Sequence, residues 1–396
     1  MDAALYDHAL GYYARAAQRS GRAGDFFTSV DVGPLFGELL EIQIAEMAGI
    51  LAGLKTCATT GTVVAQEPAT LTGVAQEPAT PTGVAQDFSP AFDLVEAGAG
   101  NGRLSADILR AARGRDPLLY ARTRLHLADA SAAARAAQHT TFAGGPGGLD
   151  VADRLVSSSE SLPSSFEGVL IANELLDALP VHQVVMHADG LREVYVDVCD
   201  GRLVAREGPL STPALAAYLD RLGVVLEPGW RVEINLRALD WIRDAAGRLR
   251  RGFMILVDYG HEARELYSPT HASGTLTTFA RHTMAGPESS PGTPPWLAQP
   301  GEHDITAHVD FTSVRAAAEA EGLTTLGFLD QTYFLLGLAN LENPANLANP
   351  ANLKKRLALK TLMMPGGLGS THKVMILGKG VGKPALLGCS YKMRVT

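Results

Sequence analysis

Two short stretches of the chain concentrate residue types able to hold a ligand or accept a proton. In VEAGAGNGRL (95–104) an apolar run from Phe92 to Val95 meets Glu96, then glycines at 98, 100 and 102, then the helix-like SADILRAARGR. That is the order of a nucleotide-binding strand, turn and helix. NELLDALP (173–180) places an amide, Asn173, two carboxylates, Glu174 and Asp177, and a proline where chains commonly spend glycine or serine on turning. Glu174 and Asp177 are three apart, so a helical turn starting here would face both the same way. The same spacing also suits a capped helix start with a solvated acidic face.

The glycine spacing selects among ligands. A dinucleotide loop requires G-x-G-x-x-G, whose third glycine lets helix and strand pack over a pyrophosphate. Here that position is Arg103, which disfavours an NAD-linked oxidoreductase. G-x-G-x-G with an acid at the strand end suits a ligand whose amino-acid end lies against the loop, and S-adenosylmethionine is such a ligand. A purely structural turn is the alternative. With that ligand, Gly98, Gly100 and Gly102 give close backbone approach to the methionine moiety, and Glu96 orients it or meets its amino group.

The elements that must position these residues alternate. LHLAD (125–129), GVLIAN (168–173) and FMILVDYG (253–260) read as buried strands, and SAAARAAQ and ALDWIRDAAGRLRR (238–251) read as helices. Short apolar strands spaced by helices predict an α/β fold, a Rossmann-like parallel sheet with helices on both faces. HQVVMHADGLREVYVDVCDGRLVAR, within about 182–210, alternates about turns at Asp189-Gly190 and Asp200-Gly201 and predicts an inserted antiparallel β meander. Residues 35–54 predict one amphipathic helix ahead of the nucleotide unit. Ligands of open α/β sheets lie outside the carboxyl ends of the strands. Those ends carry Glu96, Asp129, Asn173 to Asp177, and Asp258. Asp129 lies beyond the usual ribose-binding interval, an excess assigned to a loop over 113–124. It can hold both ribose hydroxyls or cap the following helix.

Composition sets outer bounds. The 396 residues carry 34 Lys+Arg against 42 Asp+Glu, a formal −8, which argues against nucleic acid or an anionic membrane as the main partner. The three cysteines, Cys57, Cys199 and Cys389, lie far apart, and no histidines sit at ligand spacing, so neither disulfides nor a metal centre are expected. Without a membrane-length apolar run or a leader-like start, a soluble cytoplasmic protein is expected. Tandem repeats VAQEPATLTG and VAQEPATPTG (64–83), with a partial VAQ, and NPANLA and NPANLK (343–354), read as disordered surface insertions too poor in apolar surface to fold. The expected divisions are an N-terminal segment 1–55, a repeat insertion 56–90, and a main domain 91–396 carrying the meander and a low-complexity insertion at about 340–353. The proline-rich 285–304 is expected to be a loop near the site.

ALYDHALGYYARAAQRSGRAGDFFTSVDVGPLFGE (4–38), VEAGAGNGRLSADIL (95–109), LADASAAARAAQ (127–138), IANELLDALPVH (171–182), VEINLRALDWI (232–242), FMILVDYG, GTLTTF (274–279) and PGEHDITAHVDF (300–311) occur in this order. Together they resemble the MidA family of S-adenosylmethionine-dependent methyltransferases, which includes the mitochondrial arginine methyltransferase needed to assemble respiratory complex I. The resemblance spans nearly the whole chain outside the repeats, with GDFFTS, NELLDALP and DITAHVDF its most specific parts. Family members carry a short segment before ALYDHALGYY, so Met1 is expected to be a late start.

The resemblance implies a class I methyltransferase sheet with an N-terminal helical cap and a protein arginine as acceptor, with a respiratory NADH dehydrogenase subunit as a possible partner. It implies that Gly24, Asp25, Phe26 and Thr28 close over the cofactor; by spacing alone GDFFTS is a turn with a buried Phe pair. Asn173 joins the cofactor side, and Asp304, Thr306 and His308 line the acceptor side. Glu174 and Asp177 would grip the guanidinium, with Asp258 in reserve; His308 is a catalytic candidate, though a lone histidine is commonly structural. A small-molecule acceptor and a non-catalytic assembly factor that keeps the cofactor fold are the competing functions.

Overall fold

Six consecutive buried residues, Phe92–Ala97, form β1, from which the central sheet grows outward in both directions. The structure is a computed structural model that describes residues 1–14, 24–25, 27–59, 91–144, 149–280, 283–286, 294–339, 352–364 and 368–391. The first repeat array (64–86), most of the second and Phe26 lie outside the described residues.

β1 pairs in parallel with β2 (Thr123–Ala128), which carries β3 (Leu155–Ser159) beyond it. Its other edge takes β4 (Phe166–Asn173), also parallel. The chain then leaves the sheet for an antiparallel unit of β5 (His182–His187), β6 (Gly190–Cys199), β7 (Arg202–Gly208) and β8 (Arg231–Ile234), in the order β7-β6-β5-β8. The meander expected within 182–210 is therefore a four-stranded sheet. Its last strand arrives after the Ala214–Leu222 helix, too far along the chain for hairpin chemistry to announce it.

β9 (Leu249–His261) returns parallel to β4. A small sheet of β10 (Thr277–Ala280), β11 (Thr283–Ala285) and β12 (Asp304–Thr306) follows, and β13 (Val309–Asp310) pairs with the end of β9. β14 (Thr324–Asp330) and β15 (His372–Lys379) complete the central order β14-β15-β9-β4-β1-β2-β3. The sheet expected to be parallel is thus mixed. β15 starts where β14 stops, Lys373 opposite Asp330, so it runs antiparallel to both of its neighbours.

Alternation along the strands assigns each side chain to one of two cores. Leu94, Ile171 and Ile255 face the layer containing the Leu35–Thr59 and Arg103–Arg115 helices. Val95, Leu170 and Met254 face the layer of the 214–222, Leu236–Arg248 and Phe311–Ala320 helices. Within Leu35–Thr59, the residues Phe36, Leu39, Leu40, Ile44, Met47, Ala48 and Leu51 recur at helical spacing and all enter the first core. The expected loop at 113–124 instead contains a short helix, Pro117–Arg122, whose cap Asp116 accepts the Leu119 N–H at 2.9 Å.

Candidate active site

Two adjoining cavities open at the carboxyl ends of the strands. The first, of about 230 Å³, is lined by the glycine loop, Glu96, Asp129, Asn173 and Glu174. Gly98, Gly100 and Gly102 have φ of 67°, 53° and 80°, a region that side chains disfavour. At Gly102 an added Cβ would stand 2.6 Å from Phe142, whereas at Gly100 it would meet nothing within 4 Å. One glycine thus serves helix packing, and the other leaves room beside the cavity.

Asp129 ties this loop to the next strand end. Its Oδ2 accepts the Gly100 N–H at 2.7 Å and its Oδ1 the Ser131 N–H at 2.8 Å. The helix cap is Ser131, whose Oγ accepts from Ala134, so Asp129 is not spent on capping. Glu96 is buried and accepts from the Ser105 hydroxyl and N–H; burial pushes its carboxyl up to about 8. Arg103 has a positive role: its guanidinium meets Asp31 at 2.8 Å and the Val30 carbonyl, binding the glycine-loop helix to the N-terminal segment.

NELLDALP does not start a helix. Glu174 is left-handed, with φ of 50°, and its N–H donates to the Val257 carbonyl at 2.7 Å. The next three N–H groups, of Leu175, Leu176 and Asp177, converge on Asp258 Oδ2 at 3.2, 2.8 and 3.4 Å. From the other side Asn235 Nδ2 donates to the Leu176 and Leu179 carbonyls. The local spacing predicted a helical turn, but acceptors brought from neighbouring elements override it. Asp258 lines neither cavity, so its place in reserve as a catalytic acid becomes a positioning role behind the turn.

The second cavity, of about 640 Å³, shares Tyr13 and Glu174 with the first. It is lined further by Asp25, Asp177, Tyr259, Asp304, Thr306, His308 and His372. Burial, with Asp258, Asp304 and Glu174 adding to it, raises the Asp177 carboxyl well above its usual range. Burial pushes Asp304 up to about 6, although Tyr13 donates to it at 2.8 Å, and pushes Asp258 up to about 7. No Lys or Arg is among the described residues lining this cavity. Its interior base is His372, 3.7 Å from Glu174; burial opposes the imidazolium, but the carboxylate prevails and raises the pKa. Among the described residues, Asp177 Oδ1, Tyr259 Oη, Thr306 Oγ1, His308 Nδ1 and His372 Nε2 are buried with no partner in hydrogen-bonding geometry. Native structures rarely leave so many polar atoms unmet in one place, and a polar ligand would satisfy them.

The remaining expected residues divide between the cavities. Thr28 is buried, lines the first and forms a capping box with Asp31. Asn173 lines it too, with Nδ2 directed to Glu174 at 3.3 Å. Asp25 accepts from Tyr12 at 2.8 Å and lines the second cavity rather than the cofactor side; Gly24 lines neither. His308 sits on the second cavity, where burial lowers it to about 3, and it joins His261 and His271 in a cluster that sequence spacing did not disclose. Tyr13, Tyr259 and His372 escaped sequence reasoning; ALYDHALGYY held a signal for Tyr13, whereas a single histidine opening the last strand held none.

Residues 80–329 match the profile of a family described as "Putative S-adenosyl-L-methionine-dependent methyltransferase". The chain is 29% identical to the mouse mitochondrial protein arginine methyltransferase NDUFAF7, over 85% of this chain and 68% of that protein. It is 27% identical to the Drosophila melanogaster homologue, also mitochondrial, over 94% and 78%. Among solved structures it resembles a COG1565 superfamily member from Burkholderia thailandensis bound to S-adenosyl-homocysteine, with a TM-score of 0.79, 28% identity, and coverage of 100% of this chain and 90% of that one. The mitochondrial relatives overturn the cytoplasmic location expected from the lack of a leader-like start and of a membrane-length apolar run. No described helix is long and apolar enough to cross a membrane.

Proposed function

Since the chain belongs to this family of S-adenosyl-L-methionine-dependent methyltransferases, we propose that its acceptor is an arginine side chain of a protein, with a respiratory NADH dehydrogenase subunit the first candidate. The observation that carries this reading is the second cavity: Glu174, Asp177 and Asp304 face it, and no lysine or arginine is among the described residues that line it. Burial and neighbouring carboxyls raise Asp177 and Asp304, and an entering cation offsets this and favours their ionised forms. A guanidinium, charged up to a pH above about 12, is such a cation and can meet two carboxylates through its planar fork.

In this reading the cofactor lies in the first cavity, with its ribose on the free lone pairs of Asp129 and its methionine end along Gly98 to Gly102. Glu174, lining both cavities, stands where the two reactants meet. The guanidinium nitrogen attacks the methyl carbon as the carbon–sulfur bond breaks, its electron pair passing to sulfur to leave the neutral thioether. The proton lost by the nitrogen passes to Glu174 or Asp177. His372, 3.7 Å from Glu174, sets an imidazole behind the carboxylate that receives the fork. Most of the rate comes from holding nitrogen, carbon and sulfur in line and excluding water.

The test is transfer from methyl-labelled S-adenosylmethionine to purified NADH dehydrogenase subunits, followed by peptide mass spectrometry. Label on arginine supports the reading. Label confined to another side chain or to small molecules rejects it.

A further inference from the structure

Three histidines meet at the rim of the second cavity from parts of the chain that share no local motif. His261 ends β9, His271 closes the Pro269–His271 turn, and His308 lies between β12 and β13. One ring nitrogen from each lies within 4.8 Å of the others, and the ring centroids are 4.9, 5.3 and 5.8 Å apart. Packing alone does not call for this. Among the described residues His308 Nδ1 is buried and has no hydrogen-bond partner, so the cluster leaves a polar atom unmet. We propose that His261, His271 and His308 bind one divalent transition metal ion of the zinc type, with a fourth coordination position open toward the acceptor cavity.

The outer contacts fix which nitrogens are offered. His271 Nδ1 lies 3.0 Å from the Glu265 carbonyl, and His261 Nδ1 lies 3.0 Å from the Glu265 carboxylate. A carbonyl or carboxylate on one ring nitrogen is the usual support of a metal-bound imidazole, and it leaves Nε2 to the metal. One residue, Glu265, thus orients two of the three rings. Zinc takes imidazole nitrogens at about 2.0–2.1 Å, which sets them about 3.4 Å apart in a tetrahedron, so the rings close in by roughly 1 Å through side-chain rotation. Imidazole ligands suit zinc, copper, nickel and iron, and the absence of a thiolate disfavours cuprous copper. His261 and His308 also line the acceptor cavity, and the Tyr259 ring stands edge-on to His308 at 5.4 Å. The ion would therefore tie the end of β9, the 269–271 turn and the β12–β13 link into one rigid wall beside the methyl-transfer site. Three protein ligands leave a position for water or a donor atom of the acceptor protein. The proposal holds whether or not that acceptor is arginine.

The test uses the full chain, stripped with chelator and titrated with Zn²⁺ and with Co²⁺ as a visible-spectrum probe. One equivalent should bind, with Co²⁺ giving the intense bands of a four-coordinate site. His271→Ala and His308→Ala should each weaken binding by at least about 100-fold, and Glu265→Ala by about 10-fold or more. His187→Ala, at a histidine paired with Glu207 on the meander, should change nothing. Zn²⁺ should raise the melting temperature of the wild type and not of His271→Ala. X-ray absorption of the zinc-loaded wild type should show about three imidazole ligands and needs no variant to fold. Binding that survives the loss of His271 and His308 together, or a zinc shell without imidazoles, would overturn the proposal.

Discussion

The Asp258 carboxylate accepts the Leu176 N–H at 2.8 Å across 82 residues of chain, and the acidic turn takes its shape from that contact. Leu175 and Asp177 point their N–H groups at the same oxygen, so one side chain satisfies three donors, two of them buried. Asp258→Ala would orphan them. We expect the variant to lose about 2–4 kcal/mol of stability by chemical denaturation. Methyl transfer should fall with it, and Asp258→Asn, which keeps an acceptor oxygen, should recover part of the stability. An Ala variant as stable as wild type would remove Asp258 from this role.

Glu174 is the acid common to both cavities. Glu174→Gln keeps the size and one acceptor but neither charge nor proton uptake. Transfer should drop by about 100-fold or more. Cofactor affinity, read by isothermal titration with S-adenosylmethionine, should stay within a few-fold. Normal turnover in this variant would contradict the proposed role.

Asp129 bridges the glycine loop and the proposed ribose position, so Asp129→Ala should act on binding before chemistry. Losing the Gly100 contact and the acceptors for two hydroxyls should raise the cofactor's dissociation constant by about 30- to 300-fold, the equivalent of about 2–3.5 kcal/mol. Saturating cofactor should restore most of the rate. A large fall in rate at saturation with unchanged affinity would place Asp129 elsewhere in the mechanism.

The raised acids fix the sign of a pH dependence. Glu96 is pushed up to about 8 and Asp258 to about 7 in the fold, against about 4 when unfolded. Between those limits the native chain holds more protons than the unfolded one, so stability falls as pH rises. The depressed His308 contributes no slope above about 6.5, since it is neutral in both states there. His372, raised by Glu174, adds to the fall. The unliganded protein should therefore lose stability as pH rises from 7 to about 8. Denaturation curves across that range check the slope, and Glu96→Gln should flatten it.

Local patterns determined a good deal. The glycine spacing at 98, 100 and 102, the acids at strand ends and the apolar alternation of β1, β4 and β9 are short-range properties. Backbone sterics and side-chain periodicity express them wherever the segment lands. The ordered blocks from ALYDHALGYY to DITAHVDF likewise carried the family, and with it the cofactor. What the tertiary structure alone decided is how distant segments complete those local beginnings. Glu174 takes a left-handed backbone because Val257, Asp258 and Asn235 wait around it with acceptors and a donor, contacts worth more than the helical preference of LLDAL. Arg103, read as a missing glycine, is a brace to Asp31 once the N-terminal segment folds over it. His372 meets Glu174 because β15 reverses against β9, and His261, His271 and His308 converge through three unrelated turns. Hydrogen bonds and charge pairs act over a few ångströms, whereas these partners are separated by tens to hundreds of residues. No window of sequence spans that separation; the sheet order does.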